Sequence, residues 1–146
     1  MFKKYSGLFV VIITLVITTS CGTVHRASSQ DDTHAKAYET QKGMSNIYLY
    51  RNQIDNFDIL ITAEIDGKHV SDTEQRTFLV KTVIPGQHVI TAHAENTSKI
   101  EITTAADKNY FIWLEVTLGL EKPRAKLHAV SEQRGKAGIK DSTLVN

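Results

Sequence analysis

From Ser45 onward the apolar residues recur at every second position, turn-forming pairs interrupt them at short intervals, and no stretch before residue 131 repeats with a helical period. Together these point to a small all-β fold over residues 44–146. The expected architecture is an antiparallel β-sandwich of about seven or eight short strands with a short C-terminal tail, preceded by a signal peptide and a flexible tether.

Each element has its own signature. Asn46–Arg51 alternates Ile47 and Leu49 with Tyr48 and Tyr50, and Asp58–Ile65 places Ile59, Ile61, Ala63 and Ile65 on one face. Asp66-Gly67 is a turn pair, and so is Pro85-Gly86 at the end of Thr77–Val83. Gln87–Glu95, Lys99–Thr104, Asn109–Leu118 and Ala125–Ser131 supply the remaining strands. With Asn96-Thr97-Ser98 as a hairpin loop, Glu95 faces Lys99, His93 faces Glu101 and Thr91 faces Thr103, while Ala94 meets Ile100 and Ala92 meets Ile102. Asn109–Leu118 carries Tyr110, Ile112, Leu114, Val116 and Leu118 on a core face. Its other face opens with Phe111 and Trp113 and ends with Glu115 and Thr117, as if only half of it were covered. After Ser131 a short helix and an extended end are expected.

The first twenty residues have the three parts of a secretory signal: Lys3 and Lys4 without an acid, the apolar run Leu8–Ile17, and Thr18-Thr19-Ser20 before Cys21. The run is about half the roughly 20 residues that span a bilayer. This segment resembles the bacterial lipoprotein signal, although Thr18 stands where that signal prefers a large aliphatic. The resemblance implies cleavage at residue 20 and lipidation of Cys21, and Gly22 rather than Asp implies sorting to the outer membrane of a Gram-negative cell, on its periplasmic side. Two or three acyl chains, palmitate among them, would make a firm anchor. Residues 21–43 are polar and poor in large aliphatics, which reads as a flexible tether with a coil span of about 25 Å.

Chemistry is sparse. The single cysteine allows no internal disulfide and, once lipidated, no thiol catalysis. There is no G-x-S-x-G elbow, no H-E-x-x-H and no glycine-rich phosphate loop, so no catalytic residue, cofactor or metal ligand is assigned. His88 and His93 point to opposite faces of one strand, and His25 and His34 lie in the tether. Of 17 Lys and Arg, Lys3 and Lys4 belong to the leader and the rest face 16 Asp and Glu, a balance unsuited to nucleic acid. Tyr48, Tyr50, Phe111 and Trp113 form the candidate partner surface; the competing expectation is that the tail covers them with Ile139, Leu144 and Val145.

The stretch from Asn46 to about Gly138 resembles an uncharacterised family of bacterial lipoproteins with a domain of unknown function. The resemblance rests on Tyr48-Leu49-Tyr50-Arg51, Asp66-Gly67-Lys68, Pro85-Gly86-Gln87-His88 and Lys108-Asn109-Tyr110, with Asn109 departing from the usual Thr or Tyr. The order of these motifs is also similar to PEGA-type surface domains. It implies a PEGA-like or transthyretin-like sandwich behind a lipid anchor and brings no catalytic residues.

The function expected is therefore that of a non-enzymatic envelope module, held to the membrane by its anchor and binding a protein or cell-wall partner. An accessory lipoprotein of a secretion or envelope machine comes second, a small hydrolase using His93 with Glu101 third, and an inhibitor of lysozyme last.

Overall fold

A computed structural model describes residues 24–146; the leader and Cys21 lie outside them. The elements in chain order are α1 (Ser29–Ala35), β1 (Ser45–Arg51), β2 (Ile61–Ile65), β3 (Lys68–Thr73), β4 (Thr77–Val83), β5 (Gly86–His93), β6 (Thr97–Thr104), β7 (Lys108–Leu118), β8 (Pro123–Val130), α2 (Glu132–Ile139) and β9 (Thr143–Leu144). The strands make two sheets, β8-β7-β1-β4-β9 and β3-β2-β5-β6. Ile47, Leu49, Ile112 and Leu114 of the first meet Ile61, Ala63, Ile90 and Ala92 of the second in one apolar core. Each Ile or Leu buried there contributes about 1.5–3 kcal/mol. The mostly β, two-sheet expectation is borne out, and the core face of β7 is so at Ile112, Leu114 and Val116, whereas Tyr110 is half-buried and Leu118 is exposed beyond the edge of the core.

The strands are not all antiparallel. β1 runs parallel to β7 and β4 parallel to β9, so the five-stranded sheet is mixed. Parallel neighbours require a crossover rather than a hairpin, and here the chain between β1 and β7 builds the whole second sheet. Past the last paired residue of β1, the Gln53 side chain adds one more rung to the parallel pair. Its amide donates to the Val116 carbonyl at 3.2 Å and its carbonyl accepts from the Val116 N–H at 2.6 Å.

β3 is a strand that alternation does not announce, because Val70 is its one aliphatic residue. Its inward positions are the small polar Ser71 and Thr73, both buried. The preceding turn has positive φ at Asp66 (54°) and Gly67 (72°), the backbone a two-residue hairpin needs. The β5–β6 hairpin also differs from expectation. Its loop is Ala94–Asn96, and Thr91 faces Lys99 rather than Thr103, a slip of four residues. An even slip preserves the faces, so Ile90 and Ala92 still point to the core. The register follows from contacts outside the hairpin. The Asn96 side chain donates to the Ala125 carbonyl and accepts from its N–H, both at 2.8 Å, and Ser98 Oγ accepts from the Leu127 N–H at 3.1 Å. These bonds tie the loop and β6 to the free edge of β8 and outweigh the modest charge pairs of the alternative register.

Residues 24–43 are not a loose tether. Ser28 caps α1 by accepting from the Asp31 N–H, Ala27 donates to the Leu144 carbonyl at 2.9 Å, and Arg26 bridges to Val145. Asp32 accepts from the Leu144 N–H at 2.8 Å and pairs with Lys36, whose ammonium also donates to the Ser142 carbonyl at 2.7 Å. The tether reading overlooked two apolar anchors, Val24 against the main core and Tyr38 against the aromatic layer. Capping and docking offset the ordering entropy that a poorly aliphatic segment cannot offset alone. Among the described residues no helix is long and apolar enough to cross a membrane.

Candidate functional site

β1 and β7 are adjacent, as the aromatic candidate surface requires, and Tyr48 lies beside Phe111 and Tyr50 beside Trp113. The surface is not open, however. Tyr48, Tyr50 and Phe111 are buried, with Phe78, Ile139, Leu144 and Ala35, in a second apolar layer on the outer face of the five-stranded sheet. Tyr48 and Phe111 stack with centroids 5.1 Å apart, and Tyr38 tilts against both at 5.3 and 5.8 Å. The tail covers the layer with Ile139 and Leu144, whereas Val145 turns into the main core. The covering expectation is thus met by two of its three residues, and α1 completes the cover.

Burial has a chemical consequence for the tyrosines. Tyr48 donates to the Ala35 carbonyl at 3.0 Å, and its pKa is pushed up to about 12, first by burial and then by Tyr38. Burial also raises Tyr50, against the opposing effect of the nearby Arg134 guanidinium, its charge and its hydrogen bond to the hydroxyl. Neither phenol ionises near neutral pH.

Trp113 is the member that remains half-covered. The His128 ring stacks on it at 5.1 Å, and His128 Nε2 lies 2.8 Å from Glu115. The Arg134 guanidinium stands over the indole at 4.8 Å. Beside these groups a cavity of about 260 Å³ opens between α2 and the β1–β7 pair, lined by Tyr50, Asn52, Trp113, Arg134, Ala137 and Gly138. Two glycines let α2 approach so closely. A Cβ on Gly135 would stand 2.3 Å from Phe111, and one on Gly138 would stand 2.2 Å from Tyr50.

The His93 and Glu101 pair does not form, either as a catalytic pair or as a cross-strand one. His93 faces Thr97 while Glu101 faces Val89. His93 Nε2 instead lies 3.3 Å from Glu64, out of line for a hydrogen bond. Among the described residues no group of three or more His, Cys, Asp or Glu is arranged to hold a metal.

His88 and Asp66 join two of the sequence motifs. His88 Nδ1 lies 2.7 Å from the Asp66 carboxylate and Nε2 lies 2.8 Å from the Ile84 carbonyl, an arrangement suited to the doubly donating imidazolium. Asp66 also accepts from the Val89 N–H at 2.9 Å. Burial opposes charge on His88, but its bonds to Asp66 and Ile84 and the carboxylate's charge outweigh it, so its pKa is raised. Burial likewise opposes charge on Asp66, yet its bonds to His88 and Val89 outweigh it and its pKa is lowered. The raised histidine contributes stability that is full below its unfolded value, near 6.5, and is lost as pH rises through its folded value. The lowered aspartate contributes stability above about 3.9 that is lost as pH falls through its folded value. The pair therefore stabilises most between about pH 4 and 6.5. Thermal midpoints measured from about pH 6 to 8 are expected to fall more steeply for wild type than for His88→Asn. Parallel profiles would overturn this linkage.

No protein-family model matches the chain, and no solved structure matches it. A protein of Haemophilus influenzae described as uncharacterized is 31% identical over 131 residues, covering 88% of this chain and 78% of the relative. At that identity and coverage, the chain belongs to the family of that Haemophilus influenzae protein.

Proposed function

We propose that the protein is a lipid-anchored envelope module that works by binding rather than by catalysis. The observation that carries this reading is the short distance between Cys21, the cysteine of the lipoprotein-like signal, and the folded domain. Val24 already packs against the sandwich core, three residues after Cys21. Three residues extend no further than about 11 Å, so an anchor at Cys21 holds the sandwich against the membrane surface rather than on a long leash. The signal-like leader supports export, and Gly22 supports the periplasmic side of the outer membrane. A cavity on the outer face of the five-stranded sheet, lined by Asn52 and Arg134 beside Tyr50 and Trp113, supports binding of an envelope protein or cell-wall component.

The test is metabolic palmitate labelling with membrane fractionation, wild type against Cys21→Ala. Label and outer-membrane location are both expected to disappear in the variant. A wild type that is unlabelled and soluble would overturn the anchored reading.

A further inference from the structure

We propose that the cavity between α2 and the β1–β7 pair is a carboxylate site, taking one small residue's worth of ligand with its acid group against Arg134. The proposal deepens the binding-module reading and rests on it, and it is independent of the anchor.

Arg134, Asn52 and Tyr50 bring polar side chains to the wall of this space, and Trp113 completes it. Among the described residues Arg134 has no ion-pair partner, unlike Arg26, which pairs with Glu74, and Arg51, which pairs with Asp55. Among the described residues no acidic side chain lines the cavity to neutralise it. Among the described residues the Asn52 amide makes no side-chain hydrogen bond, and the Arg134 guanidinium stands beside the Tyr50 hydroxyl. The Trp113 indole N–H is buried and has no acceptor. A buried donor left unmet costs about 1–3 kcal/mol, and such a group calls for an explanation. The guanidinium is donor-only, and the Asn52 amide can add an N–H donor beside it.

A carboxylate supplies acceptors in the right form. It is planar, carries one negative charge to match one guanidinium, and presents two oxygens to the guanidinium fork. Stacking over Trp113 orients that fork before any ligand arrives, which lowers the cost of binding. A phosphate brings nearly twice the charge and would call for a second cation, and no lysine or second arginine lines the space. Ala137 and Gly138 make the remaining wall small and apolar. A volume of about 260 Å³ has room for an acid group and a short side chain but not for a large one. The ligand chemistry is thus a carboxylate on a small residue, either a free acid or the end of a peptide.

Trp113 is the single tryptophan, so emission reports on this site alone. N-acetyl-alanyl-alanine and its C-terminal amide would be titrated into the full-length chain in detergent micelles, with calorimetry in parallel. The acid is expected to change Trp113 emission saturably and the amide to leave it unchanged. Arg134→Gln should weaken binding at least tenfold without moving the thermal midpoint, and Arg134→Lys, which keeps the charge and loses the fork, should fall between. Acetate competing as well as the peptide acid would support the site with a free small acid as its source; much weaker acetate would support a peptide end. Equal response to acid and amide, undiminished binding by Arg134→Gln, or inorganic phosphate displacing the acid at equal concentration would each overturn the proposal. Palmitate labelling of Cys21 is unaffected by any of these results, so failure here is distinguishable from failure of the anchored reading.

Discussion

Replacing Arg51 by alanine is expected to destabilise the fold by about 3–5 kcal/mol, the cost of removing one partner from a buried ion pair. Arg51 closes the Tyr-x-Tyr-Arg motif and is completely buried. One arm of its guanidinium donates to the Ile59 carbonyl at 2.9 Å. The other reaches both oxygens of Asp55, at 3.2 and 3.1 Å, and the Phe57 carbonyl at 3.3 Å. Gln75 braces the same loop by donating to the Asp55 carbonyl at 2.7 Å. Without Arg51, Asp55 loses its countercharge and the Ile59 carbonyl loses its donor in a site with little access to water, while Gln75 and the Phe57 N–H still donate to the Asp55 carboxylate. Urea unfolding measures the loss. The double variant Arg51→Met with Asp55→Asn should recover part of it, because the unpaired charge is gone and the stem still packs. A single-variant cost below about 1 kcal/mol would mean that the pair is solvated and the loop indifferent to it.

Gly135→Ala is expected to destabilise by about 1–3 kcal/mol, the ordinary cost of overpacking. Helix propensity predicts the opposite sign, a gain of up to about 1 kcal/mol, so the experiment separates the two effects. Packing should prevail because the added Cβ meets Phe111 at three atoms between 2.3 and 2.4 Å. Phe111 has nowhere to go, since it is 2% exposed and stacked on Tyr48. The relief that costs least is a lifted α2, which would change near-ultraviolet circular dichroism and Trp113 emission. Gln133→Ala, on the exposed side of α2, serves as the control and should stabilise by a few tenths of a kcal/mol. A Gly135→Ala chain as stable as that control would show that α2 is loosely seated.

These two residues also mark how far the candidate site could be read in advance. Tyr48, Tyr50, Phe111 and Trp113 lie together, because alternation in β1 and β7 assigns them to the faces opposite the main core. What alternation cannot say is what lies over those faces. Tyr38 and Ala35 reach them from a segment that composition describes as polar, and Ile139 and Leu144 from the tail. A local signal did exist for α1. Ser28 followed three residues later by Asp31 is a capping-box pattern, with Asp32 adding a second acid in the first turn. Arg134 and Asn52 had no such signal, since nothing local sets them apart from other exposed polar residues. Their convergence depends on α2 docking beside the β1–β7 pair.

Most strand positions, β3 excepted, the main turn positions and the division into core and outer faces are thus legible from residue order alone, because a period of two and an Asp-Gly or Pro-Gly pair are properties of adjacent residues. Pairing is not. β7 lies parallel beside β1, the β5–β6 register yields to bonds with β8, and residues 24–43 become part of the domain, all through contacts between segments far apart in the chain. Each such choice is worth only about a few kcal/mol, and none leaves a periodic trace. The tertiary structure therefore decides which faces are open, and with them where a ligand can enter.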